Sequence, residues 1–72
     1  MASVIDVLGV ARTNALMALD EASWREDQTR EEIVESYLAN VWDTIIGQGG
    51  SVEEAACGQG EYLDIINING EE

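Results

Sequence analysis

The chain has 72 residues, with 15 acidic side chains against three basic ones and a formal net charge of −12. It has one cysteine and no histidine, which excludes an internal disulfide, a histidine metal centre and a His-activated nucleophile. A chain this short buries only about 60% of the surface its unfolded form exposes, so one domain is expected over residues 1–72, with no large enclosed active site, no metal and no cofactor.

The three basic residues are Arg12, Arg25 and Arg30; there is no lysine, and nothing basic follows Arg30. Contact with nucleic-acid phosphates draws on Lys and Arg, and an anionic membrane repels an acidic protein. Direct binding to either is therefore not expected, and a partner steered by charge must present a basic surface. At the N-terminus Asp6, Gly9 and Arg12 interrupt the apolar residues. Neither a secretory signal nor a membrane span is expected, and the single cysteine fits the reducing cytoplasm.

Residues 4–22 read as a long amphipathic helix opened by Ser3 as N-cap. Val4, Ile5, Val7, Leu8, Ala11, Ala15, Leu16, Ala18, Leu19 and Ala22 share one broad half of the helical wheel. Asp6, Gly9, Thr13, Asp20 and Glu21 lie opposite, and Val10 and Met17 fall on that polar side as a possible second contact face. Residues 23–28, polar apart from Trp24, read as a connection. Thr29-Arg30-Glu31-Glu32 is a capping box: the Thr29 hydroxyl accepts from the backbone three residues on while Glu32 reaches back. It predicts a second helix whose buried face is Ile33, Val34, Tyr37, Leu38, Val41 and Ile45, with Trp42 and Ile46 on the border and Gly47 as its stop.

Gln48-Gly49-Gly50 reads as a turn, and Ser51-Val52-Glu53-Glu54 repeats the capping signature. It predicts a short third helix through Cys57, ended by Gly58 in a left-handed conformation. Residues 62–68, Tyr-Leu-Asp-Ile-Ile-Asn-Ile, carry strand-favouring side chains but have no second strand to pair with. The expectation is a short helix ending near Gly70, with an extended segment as the alternative. The expected fold is thus all-α: a hairpin of two amphipathic helices, a short third helix, and a C-terminal helical or extended segment packed across them, forming a homodimer.

No motif carries chemistry. Cys57 lies among Glu53, Glu54 and Glu61, which disfavour a thiolate, so it reads as a small apolar residue. Ala56, Gly60 and Ile66 have helix-turn-helix spacing, but Glu61 and Asp64 on its second helix would repel phosphates. Asn67-Ile68-Asn69-Gly70 matches part of a calcium loop, yet Ile65 occupies the first ligand position. The carboxylate pairs Glu31/Glu35, Glu32/Glu35 and Glu53/Glu54 fall on predicted solvent faces, where nothing separates their pKa values for acid-base work. Acyl carrier proteins share the length, acidity and helical layout, but none of Ser3, Ser23, Ser36 and Ser51 stands in their Asp-Ser-Leu motif.

What remains is surface. Trp42, Ile46, Trp24, Met17 and Val10 are the apolar candidates for partner contact, with Glu31, Glu32, Glu35, Asp43 and Glu21 as an acidic rim. Glu32, Glu35 and Asp43 run along about 16 Å of the second helix, a spacing that imitates a short line of phosphates. In size and charge the chain resembles small phage-encoded proteins that block host nucleic-acid enzymes or defence complexes. That resemblance implies a non-enzymatic inhibitor docking on a basic, nucleic-acid-binding surface of a larger protein. The alternative is a structural subunit whose apolar faces build a helical homo-oligomer while its acids keep it dispersed.

Overall fold

The computed structural model describes residues 6–70, with the backbone alone at Gly70. It is an all-helical fold of three elements, α1 (Val7–Trp24), α2 (Arg30–Gly47) and α3 (Val52–Gly70), each packed against both others. Short connections make successive helices antiparallel. Between α2 and α3, Arg30 Nη2 donates to the Ile66 carbonyl, the Tyr62 hydroxyl to that of Val34, and Gln59 Nε2 to that of Leu38. Partners on α3 descend as those on α2 ascend, which fixes the antiparallel order.

Two of the three helix starts lie where the capping patterns place them. Thr29 accepts from the Glu32 amide at 3.1 Å and Glu32 accepts from the Thr29 amide at 3.1 Å. Ser51 and Glu54 make the same reciprocal pair at 3.1 and 2.8 Å. Each pair satisfies amides that the first helical turn leaves without partners. The expected cap at Ser3 lies outside the described residues. Here α1 begins at Val7, with the Asp6 carboxylate accepting from the Gly9 amide at 2.9 Å, so Asp6 caps the helix and is not part of its polar face. At the other end α1 runs through Ser23 and Trp24, two residues expected in the connection. The turn after α2 is closed by hydrogen bonds: Gly49 donates to Ile46 and Gly50 to Ile45, the paired closures of a Schellman motif. Gly49 takes the left-handed position at φ +93°, which an L side chain resists.

The largest departure from expectation is α3, which passes through Gly58 without a break and absorbs residues 62–68 as helix. Gly58 is buried and faces side chains of both other helices. A methyl group there would overlap Ile45 Cδ1 and stand 3.1 Å from Val7 Cγ1 and 3.2 Å from Val41 Cγ1. Glycine at this position serves close approach, not chain reversal. Once the helix continues, the backbone amides of 62–68 and the carbonyls of 62–66 are satisfied within the helix, and no strand partner is needed.

Core volume is divided unequally among the helices. On α1 the fully buried residues are Ala11, Ala15 and Ala18, spaced to form one narrow small-residue face. Across from it α2 contributes Ile33, Val41 and Ile45, and α3 contributes Ala55, Tyr62 and Ile66. Alanines let the α1 backbone come close, and the branched and aromatic residues opposite fill the space. This narrows the buried stripe of α1 from the half-wheel expected. Leu8 and Leu16, read as core, are 53% and 51% exposed, whereas Val7, Val10, Leu19 and Ala22 flank the core. Tyr62 is the largest fully buried side chain, and its hydroxyl is satisfied by the Val34 carbonyl at 2.7 Å. Among the described residues no buried side-chain polar atom lacks a partner.

Candidate interaction surface

The expected contact residues divide between two separate faces. On α2, Glu31, Glu35, Trp42 and Ile46 fall within about 60° of one another at 100° per residue, so they form one stripe along the helix. The stripe begins with two carboxylates and ends with two apolar side chains. Its apolar end adjoins the α3 side of α2, because Leu38, one turn before Trp42, is where Gln59 of α3 docks. Trp42 is half-buried against the core and Ile46 is 38% exposed. Glu31, Glu35 and Asp43 are exposed.

Val10, Met17 and Trp24 lie seven residues apart on α1, on a stripe of their own whose Val10 end lies beside Thr44 and Gln48 at the C-terminal end of α2. Val10 is only partly exposed: it packs against the core and lines a shallow cleft of about 540 Å³ with Asp6, Gly9, Thr13, Asn14, Thr44 and Gln48. Met17 and Trp24 are exposed, and Trp24 carries the Arg25 guanidinium 5.8 Å from its ring centre. The fold therefore presents these residues as two surface stripes, one acidic and apolar on α2, one apolar on α1.

Two carboxylates of the expected acidic rim are already engaged. Glu32 spends an oxygen on the Thr29 amide. Glu21 accepts from Arg25 at 2.6 Å and is partly buried. The Glu21 carboxylate beside the Tyr37 hydroxyl, reinforced by burial, holds that phenol above its ordinary range. Arg25 bridges on to Asp27 at 2.9 Å, and this contact holds the Asp27 carboxyl below its usual range. The Arg25 bridges tie the end of α1 to its connection.

The remaining charge is strongly one-sided. Residues 31–72 contain ten Asp and Glu and no Lys or Arg, whereas residues 1–30 contain five acids and three arginines, so −10 of the −12 lies after Arg30. Both ion pairs among the described residues belong to Arg25. Glu31 and Glu35 stand at i and i+4, a like-charge spacing that costs a helix about 0.2–0.5 kcal/mol; among the described residues neither has an ion-pair partner, and Glu31 alone gains from lying in the first turn of α2.

Among the described residues no three His, Cys, Asp or Glu side chains gather in a way that could hold a metal ion. Cys57 is exposed on α3, not part of the core. In the α1–α2 cleft Asp6 is engaged by the Gly9 amide and Asn14 by the Val10 carbonyl. Among the described residues no helix is long and apolar enough to cross a membrane. No protein-family model, curated protein or solved structure matches the chain.

Several exposed apolar residues escape a reading of the sequence for contact residues: Leu8, Leu16, Val52, Leu63 and Ile68. For Leu16 the alanine spacing gave a hint, since Ala11, Ala15, Ala18 and Ala22 define a narrow face centred away from it, but Leu8 borders that face and only packing against α2 and α3 decided between them. For Leu63 and Ile68 no signal existed until α3 was known to be a single helix.

Proposed function

We propose that the chain is a non-enzymatic binding protein, a small acidic inhibitor that docks the α2 stripe on a basic, nucleic-acid-binding surface of a larger protein in the cytoplasm. The observation that carries this reading is the Glu31–Glu35–Trp42–Ile46 stripe. Glu31 is favoured by the N-terminus of α2, but Glu35, beyond the first turn, faces Glu31 with no ion-pair partner among the described residues, and the same stripe ends in an incompletely covered tryptophan and isoleucine. A basic groove neutralises the first pair and desolvates the second. Partner binding would then combine charge steering with an aromatic anchor, the combination that gives interfaces their rate and their central energy. Asp43, exposed further along α2, extends the acidic line.

The test uses immobilised wild-type chain and a Glu31→Lys/Glu35→Lys variant as paired baits in extract from the source cells. Support is a set of basic, nucleic-acid-binding proteins retained by the wild type, released as salt rises, displaced by duplex DNA and absent from the variant. Equal retention on both baits, or retention that salt does not weaken, defeats the proposal.

A second reading is favoured by the exposed Leu8, Leu16, Val52, Leu63 and Ile68: a structural subunit whose apolar flanks build a homo-oligomer. Its contacts would hold or tighten as salt rises, because apolar burial is strengthened by excluded salts. Under either reading the chain is a homodimer, since a core this small gains from a second subunit.

A further inference from the structure

Along α1, Leu8, Arg12, Leu16, Asp20 and Trp24 are spaced at intervals of four, the spacing of a surface ridge on an α-helix. All five are exposed, Leu8 at 53%, Leu16 at 51% and Trp24 at 63%. Their order is apolar, cation, apolar, anion, apolar. Reversed, that order reads as its own complement: Leu16 meets Leu16, Arg12 meets Asp20, and Leu8 meets Trp24. From this pattern we infer that α1 is the homodimer interface, two copies crossing antiparallel on a two-fold axis at Leu16. The inference rests on the homodimer reading above and specifies its surface.

Charge distinguishes a second copy from other occupants. Arg25 is held by Glu21 and Asp27, and Arg30 reaches the Ile66 carbonyl, but Arg12 makes no ion pair among the described residues. Residues 1–30 hold all three arginines and only five of the acids, so two copies meeting through α1 keep their most negative portions out of the contact. A basic partner gains at Asp20 what it loses at Arg12, whereas the chain's own reverse satisfies both. The geometry is also attainable. Ridges of the i±4 type align when two helices cross at about −50°, the commonest crossing class, and a two-fold axis makes every contact occur twice.

Sedimentation equilibrium on the full chain tests this with four proteins: wild type, Arg12→Asp, Asp20→Arg and the double exchange. Asp20→Arg is decisive because it changes the net charge from −12 to −10, replacing one negative residue by one positive. General repulsion between copies then falls and predicts tighter association, whereas the ridge sets two like-charged pairs face to face. The expected result is a dimer whose Kd rises about tenfold in each single variant and returns to within about threefold of wild type in the double. Leu16→Asp, at an exposed position, is expected to give a monomer with unchanged helicity. A wild-type chain that stays monomeric at millimolar concentration overturns both the homodimer and the ridge. A dimer that Asp20→Arg leaves unchanged or tightens overturns the ridge alone and places the contact on another face.

Discussion

Two glycines on one helix should respond to the same substitution with opposite signs. Glycine inside a helix is less favourable than alanine by about 0.5–1 kcal/mol, so Gly→Ala in α3 starts with that gain. At Gly60 nothing lies within 4 Å of the new methyl group, and the gain should be realised in full. At Gly58 the methyl group overlaps Ile45 Cδ1 and crowds Val7 and Val41. The end of an isoleucine side chain can often swing away, but Ile45 and Val41 are fully buried and the valines are branched at Cβ. Overpacking of this kind costs about 1–3 kcal/mol. Gly58→Ala is thus expected to destabilise the chain by about 1 kcal/mol net, and Gly60→Ala to stabilise it by about 0.5–1 kcal/mol. For a domain of this size each kcal/mol moves Tm by roughly 4–8 °C. Thermal and urea unfolding followed by circular dichroism should therefore place the two variants on opposite sides of wild type. A Gly58→Ala chain as stable as wild type would refute the close approach of the three helices and, with it, the reason α3 runs unbroken.

Alkaline titration should expose Tyr62. Burial pushes its phenol up to about 12 from the ordinary 10.0, so the folded state holds that proton more tightly than the unfolded one. Its contribution to stability is complete below pH 10 and drains away as pH climbs toward 12; Tyr62→Phe should lower stability by about 1 kcal/mol at neutral pH through the lost bond to Val34 and flatten the alkaline fall. Stability profiles of the two proteins that remain parallel from pH 9 to 12 would contradict this. Thr29→Ala should cost about 1 kcal/mol by leaving the Glu32 amide without its acceptor; an unchanged urea midpoint would show that the cap contributes nothing. Ala15→Leu, adding volume at a fully buried α1 position, should destabilise by about 1–3 kcal/mol, and a higher Tm would mean that α1 does not press against its neighbours as described.

Much of the fold was legible in the residues because its signals are local. The boxes at Thr29–Glu32 and Ser51–Glu54 and the glycine turn after Ile46 each depend on groups a few positions apart, so the sequence contains both partners. The all-helical class and the buried residues Ile33, Val41 and Ile45 follow from the period of α2. Of the interaction surface, the composition disclosed the uncompensated acidity and the border position of Trp42 and Ile46. The spacing to Thr29 showed Glu32 engaged as a cap partner, but nothing local revealed that Glu21 is engaged, because it faces a tyrosine on another helix.

Gly58 marks where local reasoning ends. A glycine shortly after a helix start is an equally sound stop signal and a sound contact point, and the choice depends on Val7, Val41 and Ile45, residues 13 or more positions away. Which face of α1 turns inward was likewise settled from outside, since alanines and leucines share its wheel and only the bulk of Tyr62 and the α2 branched residues makes the alanine face the better fit. Composition and short-range spacing by themselves determine the helical class, the two capping boxes, the turn between α2 and α3 and the sign of the surface. Helix continuity through α3 and the division of apolar residues between core and exterior were decided by tertiary packing, because close contact between helices is a property of pairs distant in the chain.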